Sequence, residues 1–216
     1  MYQYSELKER HREIRESLPP NLSLRIHRSL SWLQCAEQND NEDSRFIFSW
    51  IAFNAAYAHE IDNRQEFRER RVLLNFFKLL LDVDDGNQLY QIVWSEFPNS
   101  IRMLISNQYV FQKFWDFQNQ KISELEWRED FERSKVQANK ALGRMETIKV
   151  LAIVFDRLYT LRNQLIHGGA TWNGSVNREQ LRDAARILGQ LVPTIIHIML
   201  NNRPGLIGEP CYPVTA

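Results

Sequence analysis

The chain has little that bends, crosslinks or charges it as a whole. Its two cysteines, Cys35 and Cys211, lie far apart and in no metal or redox spacing. That excludes a disulfide framework and leads us to expect a reduced, cytoplasmic protein. Eight glycines and seven prolines in 216 residues leave few places for the tight turns of a sheet. Acidic and basic side chains cancel, 27 against 27. No overall positive field is available to hold nucleic acid, so a polyanion site must be local. The longest apolar run, VLAIVF at 150–155, is too short to cross a bilayer. The first residues, MYQYSELKERHREIRES, carry charge too early for a signal peptide, so no membrane is expected.

What is present is helical periodicity. Leu22, Ile26, Leu30 and Leu33 recur at helix spacing after the breaker PPN at 19–21. A polar loop at 39–44 follows, from which Asp43 or Ser44 can cap the next helix. That helix, RFIFSWIAFNAAYAHEI (45–61), is apolar on nearly every side and should run through the middle of a bundle. Residues 72–83 form another apolar helix ending at DDGN, and 88–119 read as helical with a break at Pro98. Residues 122–143 are charged, as a surface helix is. Residues 144–167 form a second fully apolar helix that stops at Gly168-Gly169. The last helix spans 177–200, with Asn177 and Gln180 in capping-box spacing and Pro193 inside it. The expected architecture is all-α: an antiparallel helical bundle with additional helices. It forms one domain over 1–202, followed by a tail at 203–216 rich in Pro and Gly.

One residue does not fit this pattern. With Phe155 at zero on a wheel of about 100° per residue, Ile148, Leu151, Ala152, Leu158, Tyr159 and Ile166 share an apolar arc. Glu146, Lys149, Asp156, Arg157, Thr160, Asn163 and Gln164 take the opposite arc. Arg162 falls at about −20°, the only charge on the apolar side. A guanidinium keeps its proton, and burying it unpaired is costly. Either it pairs with a carboxylate inside the bundle or lies at a frayed end, or its face opens into a cleft or subunit contact where an anion binds. His167, the last residue before the glycines, sits where a helix terminus favours an imidazolium, the state of a general acid. It stands about 140° around the helix from Arg162, so a shared pocket would need the helix end to tighten or unwind.

At these residues the chain resembles the HEPN superfamily, whose signature is Arg, a polar residue and, a few residues on, a His near the end of a bundle helix. Here the match is Arg162, Asn163, Gln164, Leu165, Ile166, His167. RFIFSWIAFNAAYA and LRNQLIHGGATWNGSVNR also resemble bacterial members, and the likeness covers most of 22–200. It implies a HEPN-type bundle that forms a homodimer with the motif helices facing each other. For active members it implies metal-independent cleavage of RNA, with no cofactor. The substrate's 2′-hydroxyl would attack, the two His167 imidazoles would move the protons, and Arg162 would stabilise the phosphate. Asn163 would bond the phosphate or orient His167. A toxin or phage-defence role, with an antitoxin or another protein as partner, is one expectation. A non-catalytic module binding nucleotide or protein is the other.

Asn54, on the apolar helix 45–61, needs a hydrogen-bond partner and is read as a tie between helices or as a substrate contact. Arg64, Arg68, Arg70 and Arg71 would guide RNA or form a solvated face, and Trp172 would stack a base or pack on the bundle. DVDDGN (82–87) lacks the acid placement of a calcium loop, with Val93 where Glu is needed. HEIDN (59–63) has no second histidine, and no phosphate-binding Gly-Lys-Ser/Thr loop exists. His11, His27 and His197 have no motif partners and read as surface or core residues.

Overall fold

The computed structural model describes residues 2–57, 66–175 and 177–202, with backbone only for 66–70 and 202. These residues form helices and turns, with no strand among them. The helices are α1 Tyr4–Ile14, α2 Pro20–Glu37, α3 Glu42–Tyr57, α4 Glu66–Asp82, α5 Gln88–Gln91, α6 Pro98–Ser106, α7 Gln112–Gln118, α8 Glu124–Gly143, α9 Thr147–Ile166 and α10 Arg178–Asn202.

Local chemistry sets many of the boundaries. Pro20 opens α2 and Pro98 opens α6, positions where a missing N–H costs nothing. α3 is capped by Asn41, whose Oδ1 accepts from Ser44 N at 3.1 Å, rather than by Asp43 or Ser44 as expected. Ser123 caps α8 by accepting from Glu126 N. Asp84, within the rejected calcium-like stretch, accepts from Leu89 N at 2.8 Å and so anchors the start of α5. The segment 88–119 breaks more often than Pro98 alone predicts. A π turn, Ile92–Glu96, leads to Pro98, and Asn107 leaves α6 in extended conformation with its side chain accepting from Tyr109 N. α10 runs through Pro193 without ending.

α3 packs most extensively against α2 and α10, while α4, α6 and α8 surround α9. Rings of Trp50, Phe53, Phe76, Phe77 and Phe155 interlock at the centre, with Phe53 and Phe155 4.3 Å apart. This bears out the central position expected for the apolar helix that begins at 45, and α9 joins it there. A second, smaller cluster of Phe114, Trp127 and Phe131 joins α7 to α8. α10 is long and apolar enough by composition to cross a membrane, but 72% of its apolar window is buried inside the protein, as in a core helix. The tail 203–216, with Cys211, lies outside the described residues, as does the expected helical stretch 58–61.

Candidate functional site

α9 brings Arg162, Asn163 and His167 to one end of the bundle, but its faces are not distributed as the wheel predicts. Arg157 and Thr160, assigned to the polar arc, are buried, whereas Tyr159 and Ile166, assigned to the apolar arc, are 44% and 48% exposed. The arc centred on Phe155 is covered in its lower turns, where Ala152 and Phe155 are buried, and opens from Tyr159 upward. The reason is tertiary. α6, α8 and the turn around Phe111 cover the side bearing Arg157, whereas the stretch bearing Tyr159 and Ile166 stays open.

Arg162 is half-buried on this open stretch. Its Nη1 donates to Asn163 Oδ1 at 2.8 Å, and its guanidinium carbon lies 5.9 Å from the centre of the Tyr159 ring. Its Nε is buried with no hydrogen-bond partner. Among the described residues no carboxylate pairs with it, so the internal ion pair considered for it is not formed. Asn163 Oδ1 thus holds Arg162.

The helix end is built by glycine. His167 keeps an α-helical bond, N–H to Asn163 O at 3.0 Å. Gly168 then adopts φ +71°, the left-handed region open to a residue without Cβ. Gly169 N–H returns to Gln164 O at 2.7 Å and Gly168 N–H to Leu165 O at 3.3 Å, closing a Schellman motif. The helix stays regular to its last residue. Arg162 and His167 of one chain therefore leave it about 140° apart, and no hydrogen bond joins them. His167 is exposed.

Contacts that no local pattern announces hold this end in place. Asp43 is buried and accepts from Arg178 Nη1 at 3.1 Å, Arg178 Nη2 at 3.3 Å and Asn173 N at 2.9 Å. Freed from capping its own helix, it clamps the glycine loop and the start of α10 to α3. Gln164 donates to Tyr109 O at 2.5 Å and accepts from Asn177 Nδ2 at 3.1 Å. Asn177 has φ +58°, and its side-chain Nδ2 donates to Gln164. An open groove of about 330 Å³ runs alongside, lined in part by Asn107, Gln108, Tyr109 and Gln180. Trp172 is 75% exposed and does not pack on the bundle as one reading had it.

The other candidates lie elsewhere. Asn54 is half-buried and makes no side-chain hydrogen bond among the described residues, so it ties no helices together. It follows Phe53, whose ring meets Phe155, seven residues and about 10 Å along α9 from Arg162. Arg64 and the side chains of Arg68 and Arg70 lie outside the described residues, and Arg71 is exposed on α4. His11 is buried against Ser23, His27 is exposed, and His197 stacks on Tyr2 at 3.8 Å. Among the described residues no three His, Cys, Asp or Glu gather as metal ligands would. Comparison of the chain with family models, with curated proteins and with solved structures found no match.

Proposed function

We propose that this is a HEPN-type endoribonuclease that works as a homodimer without a metal, using Arg162 and His167. The observation that carries the reading is Arg162. It is a half-buried guanidinium free of any described carboxylate, held by Asn163 on the uncovered stretch of α9, with one buried N–H unsatisfied. A group so placed is ready for an anion, and a phosphate oxygen suits it. Exposed Tyr159 and Ile166 on the same stretch offer a second copy an apolar contact beside the cation.

In this reading the RNA 2′-oxygen attacks the adjacent phosphorus while the His167 imidazole of one chain takes its proton. The bond to the 5′-oxygen breaks as the other chain's His167 protonates it. The products are a 2′,3′-cyclic phosphate and a free 5′-hydroxyl. Arg162 stabilises the added negative charge on the phosphate. Two chains are needed because Arg162 and His167 of a single α9 diverge. Exposed Trp172 and Tyr109 are available to stack unpaired bases. The balance of 27 basic and 27 acidic residues supports the second reading, a module that binds nucleotide or a protein such as an antitoxin without cutting.

An RNA-cleavage assay in EDTA, with wild type, Arg162→Ala and His167→Ala, separates the two. The nuclease reading requires cyclic-phosphate ends from wild type and their loss in both variants, with dimers preserved on sizing. Intact RNA with wild type, or full cleavage by His167→Ala, overturns it.

A further inference from the structure

We propose that the seam between α1 and α2 is an oxyanion site for a compact phosphoryl ligand, such as pyrophosphate or a small phosphate ester, gripped by Lys8, Arg12, Arg15 and His27. This site is independent of the nuclease reading, because it shares no residue with the end of α9.

The charges on α1 are sorted by face. With Lys8 at zero on a wheel of about 100° per residue, Arg15, Arg12 and His11 fall within about 60° of it. Glu6, Glu9, Glu13 and Glu16 occupy the arc from about 80° to 160°, and Leu7, which is buried, lies on the other flank. The basic stripe borders α2. Lys8 Nζ lies 3.4 Å from His27 Nδ1, the rings of His11 and His27 are 6.3 Å apart, and His11 Nε2 lies 3.1 Å from Ser23 Oγ. Arg28 of α2 also acts on His27 as a neighbouring positive charge.

Lys8, Arg12 and Arg15 crowd one another and disfavour a further positive charge on the two imidazoles. Burial, then Arg12 and Arg15, lower the Lys8 ammonium; burial, then Lys8, Arg15 and Arg28, lower His27. His11 is pushed down to about 4, by burial first and then by Lys8, His27 and Arg15. No described carboxylate forms an ion pair with Lys8, Arg12 or Arg15, although Glu6, Glu9 and Glu13 lie on α1 and Glu16 in the turn after it. Like charges gathered without a counter-ion cost free energy that a bound anion offsets.

The size of the patch selects a compact ligand. From Lys8 to Arg15 is seven residues, about 10 Å of helix, and the acidic arc borders it. A polynucleotide strand continuing past the patch would meet Glu9 and Glu16, whereas one or two phosphoryl groups would not.

Calorimetric titration with sodium pyrophosphate, in EDTA at low ionic strength, tests the site alongside NMR of the histidine rings. Saturable binding is expected, with the His27 resonances moving and those of His167 still. Lys8→Gln and Arg15→Gln should each weaken binding about fivefold, as loss of one charge-assisted contact does. Glu9→Gln should not weaken it. Should Lys8→Gln perturb the fold, the exposed Arg12→Gln and Arg15→Gln carry the test. Equal affinity in the Arg12→Gln/Arg15→Gln pair, an unmoved His27, or a single-stranded oligonucleotide that displaces pyrophosphate by binding this seam more tightly would each overturn the proposal.

Discussion

Arg157 and Arg162 stand five residues apart on α9 and occupy opposite surroundings. Arg157 is only 3% exposed. Its guanidinium lies 4.6 Å from the Phe111 ring and 5.9 Å from Phe131, and Nη2 donates to Ser134 Oγ at 2.8 Å. Burial pushes it down to about 10. It joins the small aromatic cluster of α7 and α8 to the main bundle, giving cation–π attraction where a carboxylate would otherwise be expected. Among the described residues Arg162 has one side-chain hydrogen-bond partner, its own neighbour Asn163, with the Tyr159 ring 5.9 Å away. Each keeps a buried Nε without a hydrogen-bond partner, but the guanidinium of Arg157 is enclosed by rings and Ser134, whereas that of Arg162 keeps an open face. An arginine on a helix thus acquires its role from which neighbouring elements arrive, since its helical position is equally definite in both cases.

The largest effect that tests this contrast is on chemistry. In the nuclease reading proposed above, His167→Ala and Arg162→Ala should each lower RNA cleavage about a thousandfold, the scale of a lost general acid or phosphate contact. Their melting temperatures should stay near that of wild type. If Arg157→Ala, correctly folded, abolished cleavage as fully, the division of roles would be wrong.

Next in size is stability. Arg157→Ala should destabilise by about 3 kcal/mol, through lost packing and aromatic contact. Arg162→Ala should cost less than about 1 kcal/mol, as a change on an open surface does. Urea unfolding of both variants measures the difference, and equal losses would erase it.

Asp43→Ala comes third, at about 2 kcal/mol, because it leaves Arg178 and Asn173 N without their acceptor. Amide exchange should quicken in the glycine loop before it does in α2, and uniform exchange would contradict the clamp.

A pH effect of about 2 kcal/mol should arise far from α9, at His11, allowing for solvent around Lys8 and Arg15. The unfolded ring takes up a proton as pH falls through about 6.5, but the folded ring does not until about 4. This contribution is complete above 6.5, is lost as pH falls toward 4 and changes no further below that. His11→Gln should flatten the slope in chemical denaturation between those limits. The smallest effect is Gly168→Ala, at about 1 kcal/mol, for a side chain forced to positive φ.

Much of this molecule is legible in its periodicity. The spacing of Leu22, Ile26, Leu30 and Leu33, the all-round apolar character of 45–57 and the glycine stop after His167 rest on interactions within one or two turns, and each is found as read. The errors share a cause. The spacing offers Asp43 or Ser44 as the cap of α3, yet Asn41 takes that place and Asp43 meets Arg178, brought to it only by folding. Of the two readings of Trp172, packing on the bundle is not found, because the clamped loop holds the ring out in solvent.

The sequence by itself determined where the long helices lie, that the one beginning at 45 runs through the middle, and that an arginine, an asparagine and a histidine stand near one helix end, since backbone hydrogen bonding and hydrophobic period are local. Only the tertiary structure decided which side of α9 is covered, and so which arginine is enclosed and which stays open to a ligand. Coverage depends on elements distant in the chain, and the helix's own pattern does not encode their arrival.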